Sequence, residues 1–253
     1  MDTFVDSSWY FYRYCDASND EQAFDPAAVR YWAPIDFYIG GVEHAILHLI
    51  YSRFLCRVFQ DLGMVDHHEP FTRLLTQGMV LRDGAVMSKS KDNVVDPDQM
   101  IARYGADTLR LYEMFVAPPE KEIEWTDSGL EGSFRFLTRV WRLVSALCPV
   151  VAGASQNVLG TMPLDDAHRA LRRKTHESIR RVSADLYPRV HLNTAVSALM
   201  ELVNDLYAFC ERHALAPHTA TARRGTRADQ VPAETRAVLA EAIRSAAGAG
   251  AKV

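Results

Sequence analysis

No run of ~18 uninterrupted apolar residues occurs in this chain, so no segment reads as a membrane-spanning helix. The apolar stretch Val140–Ala154 is interrupted by Arg142 and Pro149. No secretory leader is read, because Asp2 and Asp6 stand where such a leader needs positive charge. Paired cysteines are also missing. Cys15, Cys56, Cys148 and Cys210 form no Cys-x-x-Cys spacing, and they read as reduced, mostly buried thiols of a cytoplasmic protein. Positive charge is not in excess. The 28 Lys and Arg face 32 Asp and Glu, a net charge of −4, so no global basic field draws nucleic acid and any such contact must come from local patches. No internal repeat is present.

The 253 residues, 48% of them hydrophobic, suffice for one to two domains with a sizeable core. The most informative stretch is Gly84-Ala85-Val86-Met87-Ser88-Lys89-Ser90-Lys91. Glycine and serine loosen its backbone, and two lysine ammoniums on flexible stems lie close enough together to follow a phosphate charge. Alone it reads first as a solvated surface turn. Upstream, Ile35-Asp36-Phe37-Tyr38-Ile39 reads as a strand, Gly40-Gly41 as a turn, and Val42 onward as a helix. A strand followed by glycines and a helix is where open α/β sheets admit a nucleotide.

His44 and His48 lie four apart, which puts them on one helix face beside a stripe of Leu47, Ile50, Phe54 and Val58, with Gly63 closing the helix. Three readings of the pair stand open: a shared metal ion, satisfied structural imidazoles, or contacts to a substrate. The metal reading is weakened because Glu43 precedes the first histidine, whereas the zinc-protease signature places its glutamate after it.

Four blocks then occur in order. They are Thr3-Phe4-Val5-Asp6-Ser7-Ser8-Trp9-Tyr10-Phe11, Tyr38-Ile39-Gly40-Gly41-Val42-Glu43-His44-Ala45-Ile46-Leu47-His48-Leu49, Gln77-Gly78-Met79-Val80, and Met87-Ser88-Lys89-Ser90-Lys91. Their order and spacing resemble those of leucyl-tRNA synthetases, of the class I type. The likeness continues through Tyr104–Arg110 and Asn193–Val196 and covers most of residues 1–215.

The resemblance implies an α/β plus all-α chain, the C-terminal half of a class I Rossmann-type catalytic domain followed by a helical bundle. It implies that Ser7, Tyr10, Tyr38, His44 and His48 line a leucine pocket. Gly40, Gly41 and Glu43 would lie by the adenosine, and the backbone of Met79 and Val80 would meet the adenine edge. Lys89, the catalytic candidate, would contact the ATP phosphates. Two departures stand out. The signature loop usually opens on lysine, and Val86 stands there, with Lys91 a stand-in cation. The His-Ile-Gly-His motif of the fold's first half is missing, as are the editing domain and the leucine-specific insertion between Val80 and Met87. The chain is therefore expected to be a C-terminal fragment, or the product of a split or mis-started gene, with weak or no turnover alone. The partners implied are leucine, ATP with Mg²⁺ as a substrate complex, tRNA and the missing N-terminal half. No tightly bound cofactor and no protein-held metal are expected. A synthetase for isoleucine, valine or methionine, a non-catalytic tRNA-binding fragment and a metal-dependent hydrolase stay open as alternatives.

Breakers and periodicity set the expected organisation. Residues 1–92 read as the second half of the nucleotide-binding domain, and 93–127 as a small helical segment resembling the family's stem-contact piece. Residues 128–247 read as a truncated bundle of the anticodon-binding type, and 248–253 as a tail. Asp96-Pro97 predicts a helix start, and Pro118-Pro119 a stop. Ser128 with Glu131 reads as a capping box, followed by a buried stripe of Phe134, Leu137, Trp141, Val144 and Cys148. Arg135, Arg139 and Arg142 fall on the other face, where they read as a solvated surface or as contacts to the tRNA backbone. Helices over Ala167–Tyr187, from Asn193, and over Ala233–Ala247 complete the expected bundle, the first of these carrying Arg169, Arg172, Arg173, Lys174, Arg180 and Arg181.

Overall fold

The computed structural model describes residues 4–155, 159–161, 163–215 and 228–250. Thr3, the stretch at 216–227 and the last residues of the expected tail lie outside these. Internal contacts divide the chain into one unit of residues 1–80 with 119–123, and another of 81–118 with 124–253. Among the described residues no helix is long and apolar enough to cross a membrane.

In the first unit, three short helices surround an aromatic core. They are α1 (Phe4–Ser7), α2 (Tyr10–Tyr14) and α3 (Pro26–Trp32). Asp25 caps α3 by accepting the Ala27 N–H at 2.9 Å, and Pro26 takes the first helical position, where its missing N–H costs nothing. Phe11, Tyr12, Phe24, Val29, Cys56 and Val65 form the core, with Trp9, Phe59 and Phe71 packed against it. The Tyr12 hydroxyl meets His67 Nε2 at 2.7 Å, which satisfies a phenol inside that core. Trp32 stays outside at 62% exposed.

Strand β1 (Tyr38–Gly41) pairs in parallel with β2 (Leu74–Gln77), in register from Tyr38 opposite Leu74 to Gly41 opposite Gln77. The crossover between them holds a 3₁₀ turn (Val42–Ala45) and α4 (His48–Asp61). Three expectations are corrected here. The strand lies later than read, because Ile35 makes only a single bridge to Phe71. Gly40 and Gly41 are strand residues held by pairing with Thr76 and Gln77, not a turn. The stripe on α4 is displaced: Leu47, Ile50 and Phe54 are 45, 56 and 61% exposed, while His48, Leu49, Ser52 and Cys56 are buried. The helix closes as read at Gly63, with Gly63 N–H to the Gln60 carbonyl and Met64 N–H to that of Phe59, the two bonds of a Schellman cap.

Gly78 follows β2 and has a steric reason. A Cβ there would land on the backbone carbonyl of Lys121, and the Gly78 N–H donates to Pro119 O at 2.9 Å. Only a residue without a side chain lets the 119–123 segment pass so close.

Strands β3 (Val80–Arg82) and β4 (Ala85–Val86) form a hairpin, with Leu81 opposite Val86. Asp83 and Gly84 both have positive φ, 55° and 71°, the two-residue turn whose twist suits antiparallel strands. The segment that follows is less loose than its composition implies. Asn93 Oδ1 accepts the Ser88 N–H at 2.8 Å, the hydroxyls of Ser88 and Ser90 lie 3.0 Å apart, and Lys89–Lys91 make one 3₁₀ turn. Helices α5 (Pro97–Tyr104) and α6 (Ala106–Val116) begin and end close to where the sequence puts them, with Asp96 accepting the Asp98 N–H at 3.0 Å.

Helices α7 (Asp127–Val151), α8 (Asp166–Ala184), α9 (Leu192–Arg212) and α10 (Ala233–Gly250) make the bundle. Leu143, Leu147, Val150, Leu171, Leu206 and Leu239 are among its core. The stripe read on α7 is also displaced. Phe134 and Trp141 are 43 and 76% exposed and Cys148 is exposed, while Leu130, Leu143, Leu147 and Val150 are buried. The capping box is not formed. Thr126 is the N-cap and makes no side-chain cap bond, which leaves Ser128 inside the helix and Glu131 beside Arg135 at 3.9 Å. Helix α9 buries Val196, Val203, Leu206 and Cys210. Asp165 caps α8 through the His168 N–H at 2.8 Å, and His168 joins α8 to α10 by Nε2 to Thr235 Oγ1 at 2.9 Å.

Candidate functional site

The carboxyl end of β1 and the start of α4 bound a pocket of about 370 Å³ within the first unit. Ser7, Tyr38, Gly40, Gly41, His44 and His48 line it, together with Phe4, Ile39, Leu49, Leu74 and Thr76. The lining is largely apolar with a few convergent polar groups, the usual make-up of a small-molecule site.

A hydrogen-bonded chain fixes one wall. The Tyr10 and Tyr38 hydroxyls lie 3.1 Å apart, and the Tyr38 hydroxyl meets His48 Nε2 at 2.6 Å. Ser52 Oγ stands 3.5 Å from the same nitrogen, one turn along α4. The Tyr38 ring stacks on Phe71 with centroids 3.9 Å apart, which limits its rotation. Burial, and secondarily the neighbouring His44, hold the His48 imidazole below its ordinary pKa. Burial first, then the Tyr10 hydroxyl, push the Tyr38 phenol up. Both groups are therefore uncharged at neutral pH. This wall offers hydrogen bonds without a net charge, which suits an apolar group lying beside it.

His44 and His48 come together as read, their rings 6.0 Å apart and perpendicular, although the helix is interrupted between them. His44 sits in the 3₁₀ turn, with Nε2 3.8 Å from Glu43 Oε1, and its buried Nδ1 has no hydrogen-bond partner among the described residues. Among the described residues the two histidines are not part of a three-ligand group. Among the described residues that property belongs to Asp165, His168 and His213 on the bundle, where each nitrogen of His168 already has an oxygen partner.

Glu43 folds back on Gly41, where a Cβ would collide with its carboxylate. Met79 lies past β2, its carbonyl accepting the Ile123 N–H at 3.0 Å, and Val80 opens β3. Lys89 and Lys91 are exposed on their turn in the second unit. Arg135 and Arg142 are exposed, whereas Arg139 is engaged, donating to Asn204 Oδ1 at 2.8 Å and lying over the Tyr207 ring. Sequence reasoning missed Phe4, Ile39, Leu49, Leu74, Thr76 and Ser52. The signal for two of them was the short run Leu74–Gln77, whose strand follows once α4 is seen as a parallel crossover.

The sequence model of tRNA synthetases class I (I, L, M and V) matches residues 1–126, and α7 begins at the next residue. The leucine–tRNA ligase of Nitratidesulfovibrio vulgaris is 57% identical over 211 residues, 82% of this chain. That of Alcanivorax borkumensis is 56% identical over 209 residues, 83% of this chain.

This chain belongs to the class I tRNA synthetases.

It spans about a quarter of the length of the curated relatives it matches, 25% of each. Among solved structures, this class I chain resembles the Agrobacterium radiobacter K84 LeuRS in ternary complex with tRNA and LeuAMS. The TM-score is 0.78 at 35% identity, over 99% of this chain and 31% of that one. The methionyl-tRNA synthetase of Mycobacterium tuberculosis, solved with methionyl-adenylate, shares the fold, with a TM-score of 0.65 at 17% identity over 96% of this chain and 46% of that one.

Proposed function

We propose that this chain supplies the leucine-selecting wall and part of the ATP site of a leucine–tRNA ligase. The observation that carries the reading is the convergence of Ser7, Tyr38, Gly40, Gly41, His44 and His48 on one pocket, in a chain 57% identical to such a ligase. Leucine's side chain lies against the apolar lining, and the uncharged Tyr10–Tyr38–His48 chain holds the wall in place. A pocket of this kind discriminates by size, and one methylene is worth only ~1–3 kcal/mol.

In the reaction the leucine carboxylate attacks the α-phosphate of ATP, forming leucyl-adenylate as pyrophosphate leaves. A ribose hydroxyl at the tRNA 3′ end then attacks the leucyl carbonyl and releases AMP. Phosphoryl chemistry of this type needs in-line positioning and neutralised charge more than an acid–base pair. Gly40 and Gly41 let adenosine approach the β1 backbone, Glu43 lies by it, and the backbone at Met79 and Val80 meets the adenine edge. Lys89 meets the phosphates, with Lys91 standing in for the cation that Val86 replaces. Mg²⁺ arrives with ATP as part of that substrate. Residues 1–92 serve the chemistry, 93–127 link it to the bundle, and 128–247 face tRNA through Arg135, Arg139 and Arg142. Cytoplasm is the compartment that fits these substrates.

The test is a chimera in which this chain replaces the stretch it shares with the N. vulgaris ligase. Leucine-dependent pyrophosphate exchange is expected, and Lys89→Ala should lower it ~10²–10³-fold, the scale for losing one preorganised donor. A folded chimera with no exchange, or a Lys89→Ala rate that barely changes, would sink the assignment.

A further inference from the structure

Two histidines and a carboxylate meet at one end of the bundle, none of them used by the chemistry above. Asp165 and His168 stand at the start of α8, and His213 follows the last residue of α9. One donor atom from each lies within 4.8 Å of the other two. The His168 side chain is 6% exposed and that of Asp165 is 60% exposed, so the cluster has a buried side and a solvent side. The imidazoles of His168 and His213 have centroids 5.0 Å apart, and Phe209 packs on both, at 5.4 and 4.2 Å.

Three features separate this cluster from a pair of satisfied core histidines. His213 Nε2 is buried and has no hydrogen-bond partner among the described residues, a costly state for a ring nitrogen unless something binds it. The backbone fixes that ring in place. Ala214 holds φ 55°, a conformation that favours glycine, and its N–H donates to Glu211 O at 3.1 Å while Leu215 N–H donates to Cys210 O at 2.7 Å. On the other ring, His168 Nε2 lies 2.9 Å from Thr235 Oγ1 on α10. An outer hydrogen bond of that kind orients a metal-ligating imidazole and leaves its second nitrogen to the metal. That second nitrogen, Nδ1, faces the Asp165 carboxylate at 2.6 Å.

We propose that Asp165, His168 and His213 bind a zinc ion that ties the start of α8 to the end of α9. Two imidazoles and a carboxylate suit zinc, whereas Mg²⁺ and Ca²⁺ take oxygen ligands. The ion takes His168 Nδ1 and His213 Nε2. One Asp165 oxygen joins them while the other keeps the His168 N–H, and water on the solvent side is the fourth ligand. The His168 ring proton then lies on Nε2 and is donated to Thr235. Donors around tetrahedral zinc stand about 3.3 Å apart, so side-chain rotations need to close the cluster by no more than ~1.5 Å. The inference does not depend on the leucine pocket or on Lys89, and either reading can fail without the other.

The full 253-residue chain, stripped with a chelator, is dialysed against Zn²⁺. One zinc per chain is expected, retained in excess Mg²⁺ and Ca²⁺, and saturating zinc should raise the melting temperature by about 5–10 °C. Asp165→Asn keeps a side-chain oxygen for the helix cap but removes the charge. Asp165→Asn and His213→Gln should each weaken zinc binding at least about tenfold, and Thr235→Val about tenfold, with far-UV circular dichroism showing that each variant is folded. Cobalt in place of zinc should give the visible absorption of a tetrahedral site, and His213→Gln should abolish it. No zinc held at micromolar concentration would overturn the proposal. So would zinc bound equally by the parent chain and both ligand variants, which would place the ion elsewhere, for example on the exposed Cys148. Zinc that binds without moving the melting temperature would overturn the tie between the helices.

Discussion

The Tyr38 hydroxyl joins two side chains that the sequence separates, Tyr10 at 3.1 Å and His48 at 2.6 Å. Tyr38→Phe removes both bonds and leaves His48 Nε2 with Ser52 alone, so stability in urea should fall by about 1 kcal/mol. His48 also sets a pH dependence. Its folded pKa is depressed below the ordinary 6.5 by burial, so the unfolded chain takes up the proton first. Its contribution is complete above pH 6.5 and is lost as pH falls toward the folded value. His48→Asn should flatten a urea-midpoint profile measured below pH 6.5, and a profile that keeps its slope would reject the burial account. These histidines were legible from their spacing, and Tyr38 from the block around it. Ser52 was not, because a serine inside a helix carries no mark of its partner until the fold brings one. Gly78 was legible only as part of a block, and its reason, the carbonyl of Lys121, lies far along the chain. Gly78→Ala should cost on the order of 2 kcal/mol by overpacking against a backbone that cannot move aside.

Single helices were predicted in existence and extent better than in orientation. Helices α4 and α7 each carry apolar residues on more than one face, so periodicity found a stripe but did not say which stripe the core would take. On α4 the buried set includes His48 and Ser52, polar residues that a hydrophobic count passes over. On α7 the exposed Phe134 and Trp141 outweighed the smaller buried set in that count. Caps divide in the same way. Asp96 and Gly63 acted as read, because each satisfies backbone groups within its own few residues. Ser128 did not, because the extended backbone at Thr126 starts the helix earlier. Ser128→Ala should therefore change stability by less than ~0.5 kcal/mol. Asp165→Ala should lower the urea midpoint clearly, since that carboxylate accepts the His168 N–H at 2.8 Å and fixes its ring through Nδ1.

Across the molecule, charge is spent internally more than the sequence implied. The basic face of α8 is largely paired, Arg172 with Glu241 at 2.9 Å, Lys174 with Glu201 at 2.7 Å, and Arg181 with Glu201 at 3.2 Å. Net charge and residue counts cannot reveal such pairing, because the acids lie on α9 and α10. The order of bundle helices was legible because their periodic segments are long and their breakers clear. The parallel strand β2 was not, since four residues are too short a signal without their neighbour. For tRNA, replacing Arg135, Arg139 and Arg142 together by glutamine in the chimera should flatten the salt dependence of binding, and an unchanged slope would remove them from the interface. The division into two units gives a last handle. Trp32 and Trp141 stand one in each unit, 62 and 76% exposed. Each indole is thus a resident fluorophore open to a soluble quencher. Swapping Trp9 and Trp32 together for phenylalanine, or Trp125 and Trp141 together, would let the melting of one half be watched in the other's silence.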